Sequence, residues 1–360
     1  MDMSDLTLVI FVKDRQFNIE KNVKHYSKLN CKKIIYDSTD NACLSSSNIE
    51  ELSLHGFDYI WLDSVPFIIA KTLAFTNVET EYVIQCADDD LLVISSLKIA
   101  LDFLQNNPDY TTCQGVENWY DPDEATLRST MNPRGYDNHI SSNYYSADVI
   151  ERIIQTFSPF LGDAHALHRT DNTKKNSKFL IEHLEYRSGV WEEIIPGILN
   201  AIHGNKKIIP NTWFVRQRIL KAGVKHGLDR IISTSNNFYY DTDKIKINKT
   251  NLKPICKYLC EYIDIDFNIA YDIISNAILD SDKWQKKGQG EVIWYNKKNK
   301  TETAIKESEE FIHTDHEQLN SVCNLCINMV DTEIFNIIEL IDSTAEIYIN
   351  QLNDMFGKSR

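Results

Sequence analysis

Residues 82–92 read Tyr-Val-Ile-Gln-Cys-Ala-Asp-Asp-Asp-Leu-Leu, a short apolar run that ends in three consecutive carboxylates, Asp88, Asp89 and Asp90. A run of this length and composition fits a buried strand and puts the acids at its C-terminal end. In open α/β sheets ligands bind at that edge. Three adjacent carboxylates repel one another, so they call for a cation or a ring of donors. Hard divalent ions such as Mg²⁺ and Mn²⁺ take carboxylate and phosphate oxygens together. The pattern implies a clamp for a metal diphosphate. The plainer alternative is a solvated acidic turn before a helix beginning near Ser95, where acids favour the positive end of the helix dipole. A phosphotransferase with an Asp-X-Asp-X-Thr nucleophile fits less well, because Leu92 stands where Thr or Val is wanted.

The chain before this stretch alternates strand and helix. Leu6–Val12 is a β-rich apolar run delivering Lys13-Asp14-Arg15 to one sheet edge, and Asn18–Leu29 has helical spacing. Lys32–Tyr36 is a second strand ending in Asp37-Ser38-Thr39-Asp40, Phe57–Leu62 a third, and Pro66–Phe75 a helix leading back to Tyr82. This order predicts a mostly parallel, helix-covered sheet. No Gly-rich dinucleotide fingerprint or phosphate loop follows any of these strands, which argues against dehydrogenase and ATPase readings.

With 360 residues and 42% hydrophobic composition the chain can bury a large core. Its net charge of −14 argues against a nucleic-acid partner, since phosphate neutralisation needs a basic face. An anionic ligand must then be held locally. Eight cysteines are scattered through predicted strands and helices, the pattern of reduced thiols in a cytoplasmic protein. Cys323 and Cys326 form a lone Cys-X-X-Cys in a segment that reads as helix, and core thiols fit better than a zinc or redox site. The apolar run Leu6–Val12 is too short for a signal peptide, and no stretch has the length of a membrane span, so any contact with the inner face of a membrane would be peripheral.

Beyond the acids, Ser95–Asn106 reads as helix, Tyr110–Trp119 as strand, and Asp121–Asn143 as a long surface loop, a length often functional in compact domains. Ser146–Phe157 reads as helix. Gly162–Arg169 reads as a strand with His165 and Leu167 on one face and His168 on the other, both histidines being packed residues before they are catalytic ones. Val190–Gly204 opens with Glu192 and Glu193, runs through an apolar stretch and stops on Gly, as a helix with an acidic first turn would, and Lys206–Ile209 follows as a strand. Phe214–Arg218, with Lys221, Lys225, His226 and Arg230, is the one dense basic stretch of an acidic chain. It reads either as a solvated helix face or as cations facing a departing diphosphate.

A first strand ending in a polar turn with Arg15, a second ending in Asp37-Ser38 and a further one ending in Asp88-Asp89-Asp90 resemble the nucleotide-sugar-binding half of a GT-A fold glycosyltransferase. The likeness is to the inverting family 2 enzymes and their bacterial relatives. It implies a metal-dependent transfer of a sugar from a nucleotide diphosphate donor to a hydroxyl of a glycan, lipid-linked or protein-linked acceptor, with inversion. On this resemblance Lys13, Arg15, Asp37, Asp88, Asp89 and Arg216 would contact the donor. Asp37 would meet the base or ribose and Asp88 the ribose, while Asp90 would hold Mn²⁺ or Mg²⁺ with His226 as a further ligand; Asp89 and Asp90 are interchangeable in these roles. Family 2 enzymes carry their base in an acidic pair before such a helix, which points to Glu193 first and Glu192 second. The usual pair is Glu-Asp, and here it is Glu-Glu.

Near residue 240 the composition changes. Asp241–Lys253 has the character of a linker, Leu252–Asp280 and Leu319–Met355 carry apolar periodicity of helical type, and Asn296–Glu310 is charged and reads as exposed. The expected division is a GT-A domain over 1–240 and a helical C-terminal region over 241–360, packed on the sheet or forming a homo-oligomer seam. Two other classes remain open. A sugar nucleotidyltransferase would want a Gly-rich loop after the first strand, and Leu6–Asn18 has no glycine; a non-catalytic scaffold would not need the acidic cluster and the acidic pair.

Overall fold

The computed structural model describes residues 3–40, 43–122, 126–131, 143–157, 163–183, 191–217, 249–286, 290–296, 304–306 and 332–357. The chain opens with β1 (Leu6–Val12), α1 (Asn18–Tyr26), β2 (Lys32–Asp37), α2 (Ser46–Leu54), β3 (Phe57–Trp61), α3 (Phe67–Thr76) and β4 (Tyr82–Ala87). Strand β1 pairs in parallel with β2 and β4, and β2 with β3, so the order in space is β3-β2-β1-β4. Strands covered on both faces must be apolar throughout, which is why these read as continuous runs. Leu8, Ile10 and Val12 join Ile35 and Ile84 in one core, while Val9 and Phe11 join Ile34, Tyr36 and Val83 in a smaller one on the other face. The chain builds outward from β1 to β3 and then returns to the opposite side of β1. The C-terminal ends of β1 and β4 thereby form the topological switch point, where such sheets take ligands.

Next come β5 (Asp90–Leu92), α4 (Ile94–Asn106), β6 (Tyr110–Asp121), β7 (Thr126–Met131), β8 (Asn143–Tyr144), α5 (Val149–Thr156), β9 (Leu167–Arg169), α6 (Thr170–Glu182), α7 (Trp191–His203) and β10 (Asn205–Gln217). The C-terminal part supplies α8 (Lys253–Ile263), α9 (Phe267–Lys286), β11 (Gly290–Asn296), β12 (Ala304–Lys306) and α10 (Thr332–Gly357). Past β4 the sheet is mixed. β9 runs antiparallel to β4 and β6, β10 runs parallel to β6 and antiparallel to β5 and β8, and β7, β11 and β12 complete the far edge in antiparallel fashion. The α/β class expected from the sequence is the architecture observed, a large sheet flanked by helices with a helical C-terminal region.

Four elements depart from the sequence reading. Thr126–Met131, inside the expected loop over 121–143, is a strand held between β6 and β11, and its own composition carries no sign of either pairing. Of the strand expected from Gly162, which itself lies outside the described residues, Asp163–Ala166 is not extended and Leu167–Arg169 is, because these three find partners on β4 and β6. The strand expected to end at Ile209 continues to Gln217, since β6 keeps pairing with it through two irregularities near Thr212. In the charged segment 296–310, Ala304–Lys306 pairs with β11.

A second apolar core joins Ile68 of α3 and Ile153 of α5 with Ile194, Ile195, Ile198 and Ile202 of α7 and with Leu259 and Ile274 of α8 and α9. Helix α10 instead places Ile334, Ile337, Ile338 and Ile341 in the first core, against α1 and β10. Among the described residues no helix is long and apolar enough to cross a membrane.

Candidate active site

The turn after β1 sets the site. Asp14 has φ 57°, a left-handed conformation that Asp adopts more readily than most residues, and its N–H donates to Thr39 Oγ1 at 2.9 Å. This turn sends Arg15 back across the switch point. Its guanidinium bridges two of the three acids, with Nη2 2.5 Å from Asp88 Oδ1 and Nη1 2.6 Å from Asp89 Oδ2. Helix α1 then lays a polar stripe against the same turn. Asn18 Nδ2 donates to Asp88 Oδ2 at 2.8 Å, Asn22 Nδ2 to the Asp88 carbonyl at 2.8 Å, and Lys21 Nζ to the Asp89 carbonyl and Gln217 Oε1, each at 3.2 Å.

The third acid is held from the other side. Register places Arg216 of β10 opposite Asp90 of β5. Arg216 Nε lies 3.0 Å from Asp90 Oδ2, and its Nη1 lies 3.0 Å from Glu117 Oε2 on β6. Asp88 and Asp90 are buried, and burial pushes both carboxyls up to about 7. The charge of Asp89 adds to this in each case, against Arg15 for Asp88 and against Arg216 for Asp90. At Asp89 burial works in the same upward direction but Arg15, Lys21 and Arg216 outweigh it, so that carboxyl stays below its ordinary value. Glu117 is lowered too, with burial overcome by Arg216 and His165. Arg216 is raised, chiefly by Asp90. Burial depresses Lys21, against the pull of all three aspartates.

One strand away, Asp37 is fully buried at the end of β2. Its carboxylate accepts from Gln16 Nε2 at 2.5 Å, Tyr59 Oη at 2.7 Å and the Thr39 N–H at 2.9 Å. These bonds lock the turn carrying Ser38 and Thr39, where Lys13 Nζ pairs with Asp40 Oδ1 at 3.0 Å in an exposed bridge. Trp61 Nε1, at the end of β3, donates to the Thr39 carbonyl at 3.0 Å. The ends of β1 to β4 thus carry one continuous polar rim.

The fold brings Arg15, Asp88, Asp89, Asp90 and Arg216 into one cluster, with Asp37 and Lys13 on the neighbouring rim. Glu192 and Glu193 fall in the first turn of α7, and their side chains lie outside those described. His226 and the basic residues Arg218, Lys221, Lys225 and Arg230 also lie outside the described residues, as do Cys323 and Cys326. His165 packs its ring 5.3 Å from that of Phe214, its carbonyl accepts from Trp213 Nε1, and its Nδ1 has no partner among the described residues. Burial, together with Arg216, pushes His165 down to about 4, so it is neutral near pH 7.

Sequence reading missed Asn18, Lys21, Asn22, Glu117 and Gln217. The first three, with His25, stand at i, i+3, i+4 and i+7 along α1. That spacing marks a shared helix face, but polar residues on such a face ordinarily signal solvent. Here the face is buried against the acids.

Among the described residues no three His, Cys, Asp or Glu side chains are grouped so as to hold a metal ion by themselves. The donors present suit a hard divalent ion nonetheless. Arg216 already sits as a cation between the carboxylates of Asp90 and Glu117, with the charge of Asp89 close by.

No protein family model and no curated protein matches this sequence. Among solved structures, S. aureus TarS 1-349 is similar over 86% of this chain and 99% of its own, at 12% identity and a TM-score of 0.44. The same TarS fragment in complex with UDP-GlcNAc gives 11% identity and a TM-score of 0.41, over 86% of this chain and 99% of that one. A putative nucleotide-diphospho-sugar transferase from Desulfovibrio desulfuricans G20 is similar over 32% of this chain and 59% of its own, at 12% identity and a TM-score of 0.25. Likeness this distant assigns no role to any residue.

Proposed function

We propose that this chain is a glycosyltransferase of GT-A type that takes its sugar from a nucleotide diphosphate donor. The observation carrying the reading is the cluster of three consecutive aspartates and two arginines at the switch point of a mixed sheet whose first four strands are parallel. A diphosphate has the charge and reach to take Arg15 and Arg216 away from their carboxylates, and guanidinium groups bind phosphate bidentately. Asp88 and the rim around Asp37 would then face the ribose and base, with Lys13 at the edge. Asp90, with Asp89 and Glu117 beside it, would hold Mn²⁺ or Mg²⁺, and His226 would complete the set. When bound, the ion supplies charge neutralisation on the departing diphosphate.

On the acceptor side, the acidic pair in the first turn of α7 supplies the candidate base. Glu193, or Glu192 in its place, would take the proton from an acceptor hydroxyl of a glycan, lipid-linked or protein-linked substrate. Attack opposite the departing diphosphate would invert the anomeric carbon. General bases of this kind contribute about 10²- to 10⁴-fold.

The test is a thermal-shift screen of uridine, guanosine, cytidine and thymidine diphosphates and their sugars, with and without Mn²⁺. Wild type, Arg15→Ala, Asp90→Ala and Glu193→Gln are compared. One nucleotide should stabilise the wild type, fail with Arg15→Ala and Asp90→Ala, and still bind Glu193→Gln, which should have lost transfer. Absence of any shift with all four nucleotides would sink the donor-site reading.

A further inference from the structure

Helix α4 begins two residues after β5, and its own sequence gives it no cap. Val93 at the N-cap offers no side-chain acceptor, and the first turn carries no acid. The first N–H groups of a helix have no partners inside it and take acceptors from elsewhere, here at a start that is half-buried at Ile94 and exposed at Ser95. They come from the far end of the chain. Glu333, in the first turn of α10, accepts from the Ile94 N–H at 2.5 Å through Oε1 and from the Ser95 N–H at 3.1 Å through Oε2. The residues before α4 are gripped as well. The Val93 N–H donates to the Trp213 carbonyl at 2.9 Å, the Leu92 N–H to Tyr26 Oη at 2.8 Å, and His25 Nε2 lies 2.7 Å from the Leu92 carbonyl. Every N–H from Leu92 to Ser95 is therefore held by a group from another element. This is the segment from which Asp90 hangs.

We propose that Glu333 is a positioning residue for the donor site, and that through it the C-terminal helix is a working part of that site. The proposal rests on the donor reading above. Four isoleucines of α10 lie in the sheet core, and Asp342 accepts from Tyr120 Oη at 2.8 Å, so α10 is fixed to the sheet independently of Glu333. Glu333 converts that fixed position into the placement of the start of α4. The start of α4 in turn sets β5 against β10, where Asp90 meets Arg216. Diphosphate affinity should therefore depend on a carboxylate that touches no ligand.

A cap that acted on stability alone would lower the melting temperature and leave binding unchanged. The experiment compares Glu333→Ala, Glu333→Gln and Ile338→Val, the last removing a methyl from α10 in the core without touching the cap. Two quantities are read: the Kd of uridine, guanosine, cytidine and thymidine diphosphates with Mn²⁺, and amide hydrogen exchange over residues 88–95 in the free protein. Glu333→Ala should bind about tenfold more weakly, within the usual range for coupled sites, and exchange faster from Asp88 through Ser95. Glu333→Gln keeps one acceptor and should recover to within about threefold. Ile338→Val should lose a comparable amount of stability with Kd unchanged. Equal Kd values in Glu333→Ala and Ile338→Val overturn the proposal. If the wild type binds none of the four nucleotides, the donor reading fails and the exchange data decide alone: faster exchange confined to α4, without reaching Asp88–Asp90, overturns the positioning role.

Discussion

Lys21 has 1% of its surface exposed and stands beneath three carboxylates, on the face of a helix that a sequence reader would turn to solvent. Its amine ties α1 to the Asp89 carbonyl and to Gln217 on β10, so it is both counter-ion and tether. Removing one partner from a buried charge cluster is far costlier than replacing the whole cluster. Lys21→Met keeps most of the side-chain volume and should lower stability in urea by about 3 kcal/mol. A loss under about 1 kcal/mol would mean that Arg15 and Arg216 compensate the acids without it. His168 gives a prediction of a different kind. It is buried, its Nε2 lies 2.8 Å from the Asp163 carbonyl, and burial with the charges of Lys71 and Lys206 pushes it down to about 4, against Asp163. The unfolded chain binds the proton more readily, so stability is full above the ordinary histidine value and falls as pH drops toward 4. This group alone should cost about 2 kcal/mol at pH 5. His168→Gln, which does not titrate, should flatten that part of a stability–pH curve, and an unchanged slope between pH 6.5 and 4.5 would refute the assignment.

At the scale of elements, the parallel strands were legible because burial on both faces leaves a signature one residue at a time. The acidic cluster was legible as well, since Asp88–Asp90 close an apolar run. Strand β7 and the second half of β10 were not, because Thr126–Met131 and Phe214–Gln217 owe their extended form to partners far away in sequence. The same holds for the stripe on α1, whose meaning depends on what it packs against. The contact between β6 and β10 also contains a demand that spacing hides. A Cβ on Gly115 would sit 2.3 Å from the Asn211 carbonyl oxygen and 3.1 Å from Trp213 Cβ, beside the irregularity in the β6–β10 register near Thr212. The nearer atom belongs to the backbone, so relief requires the strands to part. Gly115→Ala should lower stability by about 1–3 kcal/mol, the usual range for overpacking. A melting temperature equal to that of the wild type would show that β10 can shift at this point without loss.

For the whole molecule, the question is whether the C-terminal helices unfold with the sheet. Composition suggested a break near residue 240, yet neither main core respects it. The first runs from Met3 to Ile341 and the second from Ile68 to Ile278, so each is built from residues on both sides of position 240. Apolar surface shared in this way couples the parts, because α10 cannot leave without exposing the apolar surface of α1 and β10 to water. Trp213 lies in the first core and Trp191 against the second, so intrinsic fluorescence follows both, while far-UV circular dichroism follows the helices of both regions. The two signals should fall along one curve in urea. Ile341→Ala, which empties a fully buried position in α10, should cost about 3 kcal/mol and move both curves together. If the substitution instead splits them, with helical signal lost before fluorescence changes, α10 is a separately unfolding unit. A separate α10 could hold the start of α4 only while docked, and its docking equilibrium would then limit donor binding through Glu333.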